Sequence, residues 1–277
     1  MVFVLLICLG VVALVVLSLL TPPETGGPAG SQMDALAEPP GPTAKRQENS
    51  LPTAAQVTRA RVFASSRSGA VSFAVVDTSG RIRCYRCHVR YVSASVVKAM
   101  LLVAYLNRLA EDHEPLTSSY YAILAAMIGV SDNSSATDIY GHVGDAGLYR
   151  LADQAKMSGF DVSGEWGTAK ITAADQARFF ARIGELTPAT YRGYVRKLLS
   201  SVVPAQAWGI PEVSRPKWKT FFKGGWRETT RGNLVHQVAR LERGRLSVTI
   251  AVLTDRNPGD AYGRATIRGV AARLLGS

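Results

Sequence analysis

Tyr91-Val92-Ser93-Ala94-Ser95-Val96-Val97-Lys98-Ala99-Met100-Leu101-Leu102 is the stretch whose reading decides the fold. A strand-like segment gives way there to an apolar helix, expected to open at Ser95 and run through Tyr105-Leu106 to about Ala110. Residues i and i+3 share a helix face, so Ser95 and Lys98 can point into one pocket. A serine needs a base to become a nucleophile, and a lysine serves when its pKa is driven down. Spacing alone decides nothing, because Ser214 and Lys217 repeat it. That second copy carries Pro216 inside it and opens no apolar run, so it does not begin a core helix.

Upstream, Gln56 to Arg67 reads as a surface helix, and Ala70–Asp77 and Arg81–His88 as a hairpin turning at Thr78-Ser79-Gly80. Downstream, Ser118–Gly129, Ser134–His142, Ala146–Met157, Ala173–Ile183 and Pro188–Ser201 read as helices, with Thr172 as an N-cap for the fourth. Lys219–Trp226, Asn233–Glu242 and Arg245–Thr254 are strand-like, and Gly259–Leu275 is a closing helix. Two early and three late strands predict an α+β fold (an α/β sandwich): one antiparallel five-stranded sheet with the helical block inserted.

The chain has 277 residues. Val2 to Leu20 holds no charged residue and is long enough to span a bilayer. With no basic n-region and no prompt cleavage site, residues 1–20 read as an uncleaved transmembrane anchor, with a cleaved signal segment as the alternative. Residues 21–56 hold Pro22, Pro23, Pro28, Pro39, Pro40, Pro42 and Pro52 and little apolar bulk, the composition of an unstructured linker. The folded body is expected over 57–277, extracytoplasmic beyond a membrane, or secreted if the segment is cleaved. The first 56 residues set Lys45 and Arg46 against Glu24, Asp34, Glu38 and Glu48, so the body is more basic than the chain's +11. Wall polymers or a membrane surface are candidate anionic neighbours, and solubility accounts for the charge equally well. No nucleic-acid-binding motif accompanies it, and no nucleic-acid partner is expected.

Cys84 and Cys87 sit on a strand-like segment where i and i+3 point to opposite faces, so they read as ordinary strand cysteines. No second pair joins them, His88 lies too close in sequence to converge on an ion, and neither metal nor cofactor is expected. His88, His113, His142 and His236 show no ligand spacing.

Three motifs fall at structural junctions. Ser95-x-x-Lys98 begins the first core helix, Ser131-Asp132-Asn133 follows the helix stop at Gly129, and Lys223-Gly224-Gly225 lies on the first late strand. Their order and setting resemble the penicillin-recognising serine hydrolases, most closely the catalytic domain of class A β-lactamases, over about residues 69–277. The resemblance implies a β-lactamase/transpeptidase-like fold with Ser95 as the acylated nucleophile and Lys98 as its proton acceptor. Burial and the charge of Lys223 would lower the Lys98 pKa. Ser131 would relay a proton to the leaving group, Asn133 would bond Lys98 and the substrate, and Lys223 would contact Ser131 and attract an anionic substrate. The oxyanion hole would be the N–H groups of Ser95 and Trp226, with Gly224 and Gly225 letting the strand approach the substrate.

Departures from that pattern bear on activity. Gly224 stands where the family carries a hydroxyl, so one carboxylate contact is missing; Arg227, Thr229, Thr230 and Arg231 are candidates to replace it. The loop Ser158–Lys170 lacks the family's Glu-x-x-Leu-Asn stretch, and Glu165 is its only glutamate, hence its one candidate to activate water. The resemblance therefore implies an active-site serine hydrolase acting on β-lactams or related cell-wall amides and esters. The alternatives are a D-alanyl-D-alanine carboxypeptidase or penicillin-binding-protein-like enzyme acting on a peptidoglycan-peptide-like substrate, and a catalytically idle wall-binding module of the same fold.

Overall fold

The computed structural model describes residues 50–277 apart from Pro216. These residues lie within one compact unit. Helix α1 (Ala54–Ser65) is followed by strands β1 (Ala70–Val76), β2 (Ile82–Tyr85) and β3 (Tyr91–Val92). A 3₁₀ turn, Ala94–Val97, leads into α2 (Lys98–Glu111). The helical block continues with α3 (Ser118–Gly129) and α4 (Asn133–Gln154), then β4 (Lys170–Ile171), α5 (Ala173–Leu186), α6 (Arg192–Ser200) and the short α7 (Ile210–Ser214). Strands β5 (Lys219–Thr229), β6 (Gly232–Arg243) and β7 (Leu246–Asn257) precede the closing helix α8 (Asp260–Leu275).

The main sheet has the order β2-β1-β7-β6-β5, antiparallel throughout, so the five-stranded sheet expected from the two early and three late strand-like segments is present. Side chains alternate across it, and β6 shows which layer covers each face. Val235 meets Gly263 of α8, and Gln237 accepts from the Ile210 N–H, so the odd-numbered positions face α7 and α8. His236 bonds the Val92 carbonyl and Arg240 donates to Ala181 O, so the even-numbered positions face β3 and α5. Register carries this to the edge strand: Lys223 pairs with Val238 and Gly225 with His236, on the face of the helical block. Gly224 pairs with Gln237 and Trp226 with Val235, on the α8 face.

Helix α2 is the central element of the block. Every residue from Lys98 to Leu106 is buried, as expected of a helix that is apolar nearly all round. Helix α4 breaks at Gly144, where φ is 59°, and so divides where two helices were expected. Thr172 caps α5 by accepting the Asp175 N–H at 3.1 Å.

Several expectations are corrected. Cys84 and Cys87 are not ordinary strand cysteines; they form a disulfide. Strand β2 ends at Tyr85, and Arg86 takes φ 49°, so the chain turns and brings Cys87 back to Cys84. The helix after β3 begins as a 3₁₀ turn containing Ser95, and Lys98 is the first α-helical residue. The body also begins before 57. Leu51 and Thr78 exchange hydrogen bonds, and Arg83 holds the Pro52 carbonyl at 2.6 Å. The membrane anchor is corrected too: among the described residues no helix is long and apolar enough to cross a membrane. Val2–Leu20, on which that expectation rested, lies outside the described residues. The second Ser-x-x-Lys is structural, because Ser214 Oγ is buried 2.8 Å from Thr220 Oγ1.

Candidate active site

Four of the expected residues meet at the seam between sheet and helical block. Lys98, at the first turn of buried α2, donates to Ser131 O at 2.6 Å, Asp132 O at 3.1 Å and Asn133 Oδ1 at 2.7 Å. Its Nζ also lies 3.4 Å from Ser131 Oγ. Lys223, buried on β5, donates to the same hydroxyl at 3.0 Å and to Gly224 O at 3.0 Å. Ser131 is aimed between the two amines by a left-handed backbone, φ 62°, a conformation that costs a non-glycine residue about 1–3 kcal/mol and tends to cluster at functional sites. Asp132 caps α4 by accepting the Ser135 N–H at 2.7 Å, which fixes Asn133 as that helix's first residue.

Two ammonium groups sharing one hydroxyl in a desolvated seam disfavour charge. Burial pushes Lys98 down to about 8, partly offset by Asp132. Burial and the charge of Lys98 push Lys223 down to about 7. Burial lowers Lys98 as expected, and the two amines disfavour each other's charge. Their acceptors differ: Lys98 has three short ones, the complement of an ammonium, whereas Lys223 has two.

Ser95 is half-buried on the 3₁₀ turn, after Ala94 at φ 44°. Among the described residues its hydroxyl has no hydrogen-bond partner, and Lys98 is committed to the 131–133 segment instead. The edge strand reaches Ser95 through its backbone. A Cβ on Gly225 would stand 2.9 Å from both Ser95 N and Val96 N. Glycine is needed at 225 because strand and turn are in backbone contact there. His236 ties this turn to the sheet. Its Nδ1 accepts the Thr254 N–H at 3.0 Å, so Nε2 carries the proton and donates to Val92 O at 2.9 Å. Burial holds this imidazole neutral, with its pKa lowered to about 4.

The loop of residues 158–170 closes the opposite side, and there the expectation and the geometry separate. Glu165 is exposed and makes no hydrogen bond to Lys98, Ser95 or Asn133. Its neighbour Trp166 lies over Lys98 instead, with Nζ 4.8 Å from the ring centroid and Nε1–H donated to Thr137 Oγ1 at 3.2 Å. The loop is pinned by Ser93 N–H to Ala169 O at 2.7 Å and by Arg227 to Gly167 O at 3.2 Å. Thr229 does not face the site, since its hydroxyl donates to Gly232 O within the β5–β6 turn at 2.7 Å. Gly224 faces Trp208, whose ring would lie 3.2 Å from a Cβ at that position, and Trp208 packs edge-on against Trp226.

Trp166 and His236 thus adjoin the candidate site although the motifs did not point to them, and Trp208 lies under Gly224 on the other face of β5. Their signal is spatial: each is delivered by an element far along the chain. Among the described residues no group of acidic, histidine or cysteine side chains is placed to hold a metal ion.

Paired lysines around one serine, in a seam between an antiparallel sheet and an inserted helical block, mark the β-lactamase-like serine hydrolases. Residues 111–277, more than half of the chain, match the Beta-lactamase enzyme family, and the chain belongs to it. The match takes in Ser131, Asn133 and Lys223 and begins after Ser95 and Lys98. No curated protein matches the sequence. Among solved structures, a β-lactamase from Sphaerobacter thermophilus is 16% identical with a TM-score of 0.70, over 79% of this chain and 95% of that one. An ancestral (GNCA) class A β-lactamase is 20% identical with a TM-score of 0.67, over 79% of this chain and 98% of that one. PBP-A is 16% identical with a TM-score of 0.69, over 80% of this chain and 94% of that one. Identities this low speak for a shared fold.

Proposed function

We propose that the protein is an acylating serine hydrolase in which Ser95 attacks an amide or ester carbonyl, β-lactams included. The observation that carries this reading is the single network of Lys98, Ser131, Asn133 and Lys223, with Gly225 backed onto the Ser95 turn. A bond forms between Ser95 Oγ and the carbonyl carbon, and the Ser95 proton passes to Lys98 in its neutral form. The N–H groups of Ser95 and Trp226 bind the oxyanion. The bond to the leaving amine or alkoxide then breaks, and that group takes a proton through Ser131, which both lysines reach. A resting Lys98 bound to three oxygens must release its proton or turn toward Ser95 before attack, a rearrangement consistent with apo sites whose catalytic bonds tighten only on binding.

One observation favours a persistent acyl-enzyme over rapid hydrolysis. Trp166, not a carboxylate, covers Lys98, and exposed Glu165 is not engaged with the network. A base that activates water must lie within hydrogen-bond reach of it. A peptidase or penicillin-binding-protein-like activity with slow acyl release fits this arrangement better than fast β-lactam turnover.

The test is intact-mass analysis of the full chain after incubation with an activated aryl ester and with a fluorescent penicillin, using Ser95→Ala as control. The expected result is a Ser95-dependent acyl adduct that decays over minutes or longer. An absence of any Ser95-dependent adduct or turnover with both reagents refutes the enzyme reading and leaves the idle module. Decay within seconds refutes slow release.

A further inference from the structure

Along β5, residues 224 and 226 face away from the lysine network and flank Gly225, whose backbone backs onto the Ser95 turn. Gly224 offers no side chain. Beneath it lies Trp208, only 7% exposed, with two ring carbons 3.2 and 3.3 Å from where a Cβ on residue 224 would stand. Trp226 stands out from the strand, 38% exposed, its ring centroid 6.1 Å from that of Trp208 at an interplanar angle of 77°. This side of the strand is built, not incidental. Gln237 donates to Trp208 O at 2.8 Å and accepts the Ile210 N–H at 2.7 Å. Between them Gly209 takes φ 71°, and a Cβ there would meet Gln237 and Ile267 at 2.8 Å. These contacts hold the Trp208 indole under the strand.

Among the described residues, nothing on the side of Gly224 and Trp226 is set to receive an anion. The Trp208 Nε1–H is itself buried and without an acceptor among the described residues, so it is not presented at the surface. Arg264 lies over the Trp208 ring, 4.9 Å from its centroid, and is paired with Asp260 at 2.6 Å. Arg227 points to the opposite face and holds Gly167 O. Glu228, exposed and next on the side of Trp226, adds a negative charge. Lys223 is buried on the face of the helical block. A carboxylate laid along residues 224–226 would exchange water for indole and a nearby carboxylate, whereas a ring laid there gains burial and stacking.

We infer that the substrate group seated along Gly224–Trp226 is uncharged and aromatic or apolar, stacked on Trp226, and is not a terminal carboxylate. This inference rests on the acyl-serine reading and names the substrate class of that site.

The test uses two thioesters that share a phenylacetylglycyl acyl group. One releases benzyl mercaptan and the other thioglycolate, and thiol release by the full chain gives kcat/KM for each. The benzyl thioester is expected to be preferred by about tenfold, the scale of one buried, stacked ring. Trp226→Ala should shrink the ratio to within about threefold, and Trp226→Lys should shift it toward the thioglycolate ester. Both changes are at an exposed position that folding tolerates. Equal or reversed preference in the parent, or a ratio untouched by either variant, overturns the inference while leaving Ser95 chemistry standing. No Ser95-dependent thiol release from either ester removes the acyl-serine reading and the inference with it.

Discussion

Replacing Asn133 by alanine isolates the charge on Lys98. Asn133 Oδ1 takes one of the three short bonds from Nζ, at 2.7 Å. A hydrogen bond to a charged group is worth about 1.5–3 kcal/mol. Asn133 is exposed and water can replace it, so the lower end applies, which is about one pKa unit. Lys98 should then titrate near about 7 in place of about 8. The sign follows from linkage. The folded pKa of Lys98 lies below its ordinary 10.5. Below about 8, both folded and unfolded chains hold the proton and the fold bears the whole desolvation cost. Between about 8 and 10.5 the unfolded chain keeps a proton that the native state has released, so stability rises with pH, by about 3 kcal/mol in all. Lowering the folded pKa by one unit makes Asn133→Ala less stable by about 1.4 kcal/mol below pH 7. The deficit should close between about pH 7 and 8, because a neutral amine loses little with Asn133. Urea midpoints at constant m, taken from pH 6 to 9, read this directly. Lys223 titrates nearby, but it is common to both proteins and largely cancels in their difference. The rising limb of Ser95 acylation against pH should move down by the same unit. A deficit independent of pH would refute the ammonium assignment for Lys98, and an unmoved acylation limb would refute its role as base.

Gly225→Ala places a Cβ 2.9 Å from two backbone nitrogens, which cannot yield as a side-chain tip can, so single-turnover acylation of Ser95 should fall by more than about tenfold. Gly224→Ala meets only the Trp208 ring at 3.2 Å, and its loss in the same assay should be much smaller. The hydrogen bond from Arg196, joined by Arg240, holds Glu242 at about 2, below its ordinary 4.5. The stability it contributes is complete above pH 4.5 and lost as pH falls through about 2. With Arg196 half in solvent this is worth no more than about 2 kcal/mol, and thermal melts of Glu242→Gln should be flatter over that window. Cys84→Ser opens a four-residue ring, for which chain entropy gives about 2 kcal/mol. Its melting point should match that of the reduced parent and no longer respond to reductant.

The sheet was legible because its strands are short runs rich in β-formers, set off by turn signals such as Thr78-Ser79-Gly80 and Arg243-Gly244. Assuming strand alternation misread Cys84 and Cys87. Alternation holds only while the backbone stays extended, and Arg86 leaves that region at φ 49° with no glycine to announce it. The start of the folded body was missed for a related reason. Ser50–Pro52 look like linker by composition and are held by partners outside it, Thr78 and Arg83. The helical placement of Ser95 failed by only one turn, since the apolar pattern is blind to whether its first residues are 3₁₀ or α.

Within the site, Ser95, Lys98, Ser131, Asn133 and Lys223 were legible as motifs, yet their protonation was not, and protonation decides what they do. Spacing put Lys98 beside Ser95, which suggests a neutral amine facing a hydroxyl. The structure surrounds Nζ with the Ser131 and Asp132 carbonyls and Asn133 Oδ1, contributed by a segment far downstream. Three acceptors satisfy three N–H groups, and that count belongs to the charged form. Lys223, with only two acceptors, is the better seat for the neutral amine at rest. Deprotonating Lys98 therefore asks Ser131 to exchange a donor for an acceptor. Ser131 is the residue through which the two lysines feel each other, and its left-handed backbone keeps it there. Trp166 makes the arrangement costlier to hydrate, because an indole over Nζ stabilises the cation while displacing the water that would otherwise solvate it. On the proposed acyl-serine reading, the dry network that yields a proton near neutral pH for acylation would also withhold the water that acyl release requires.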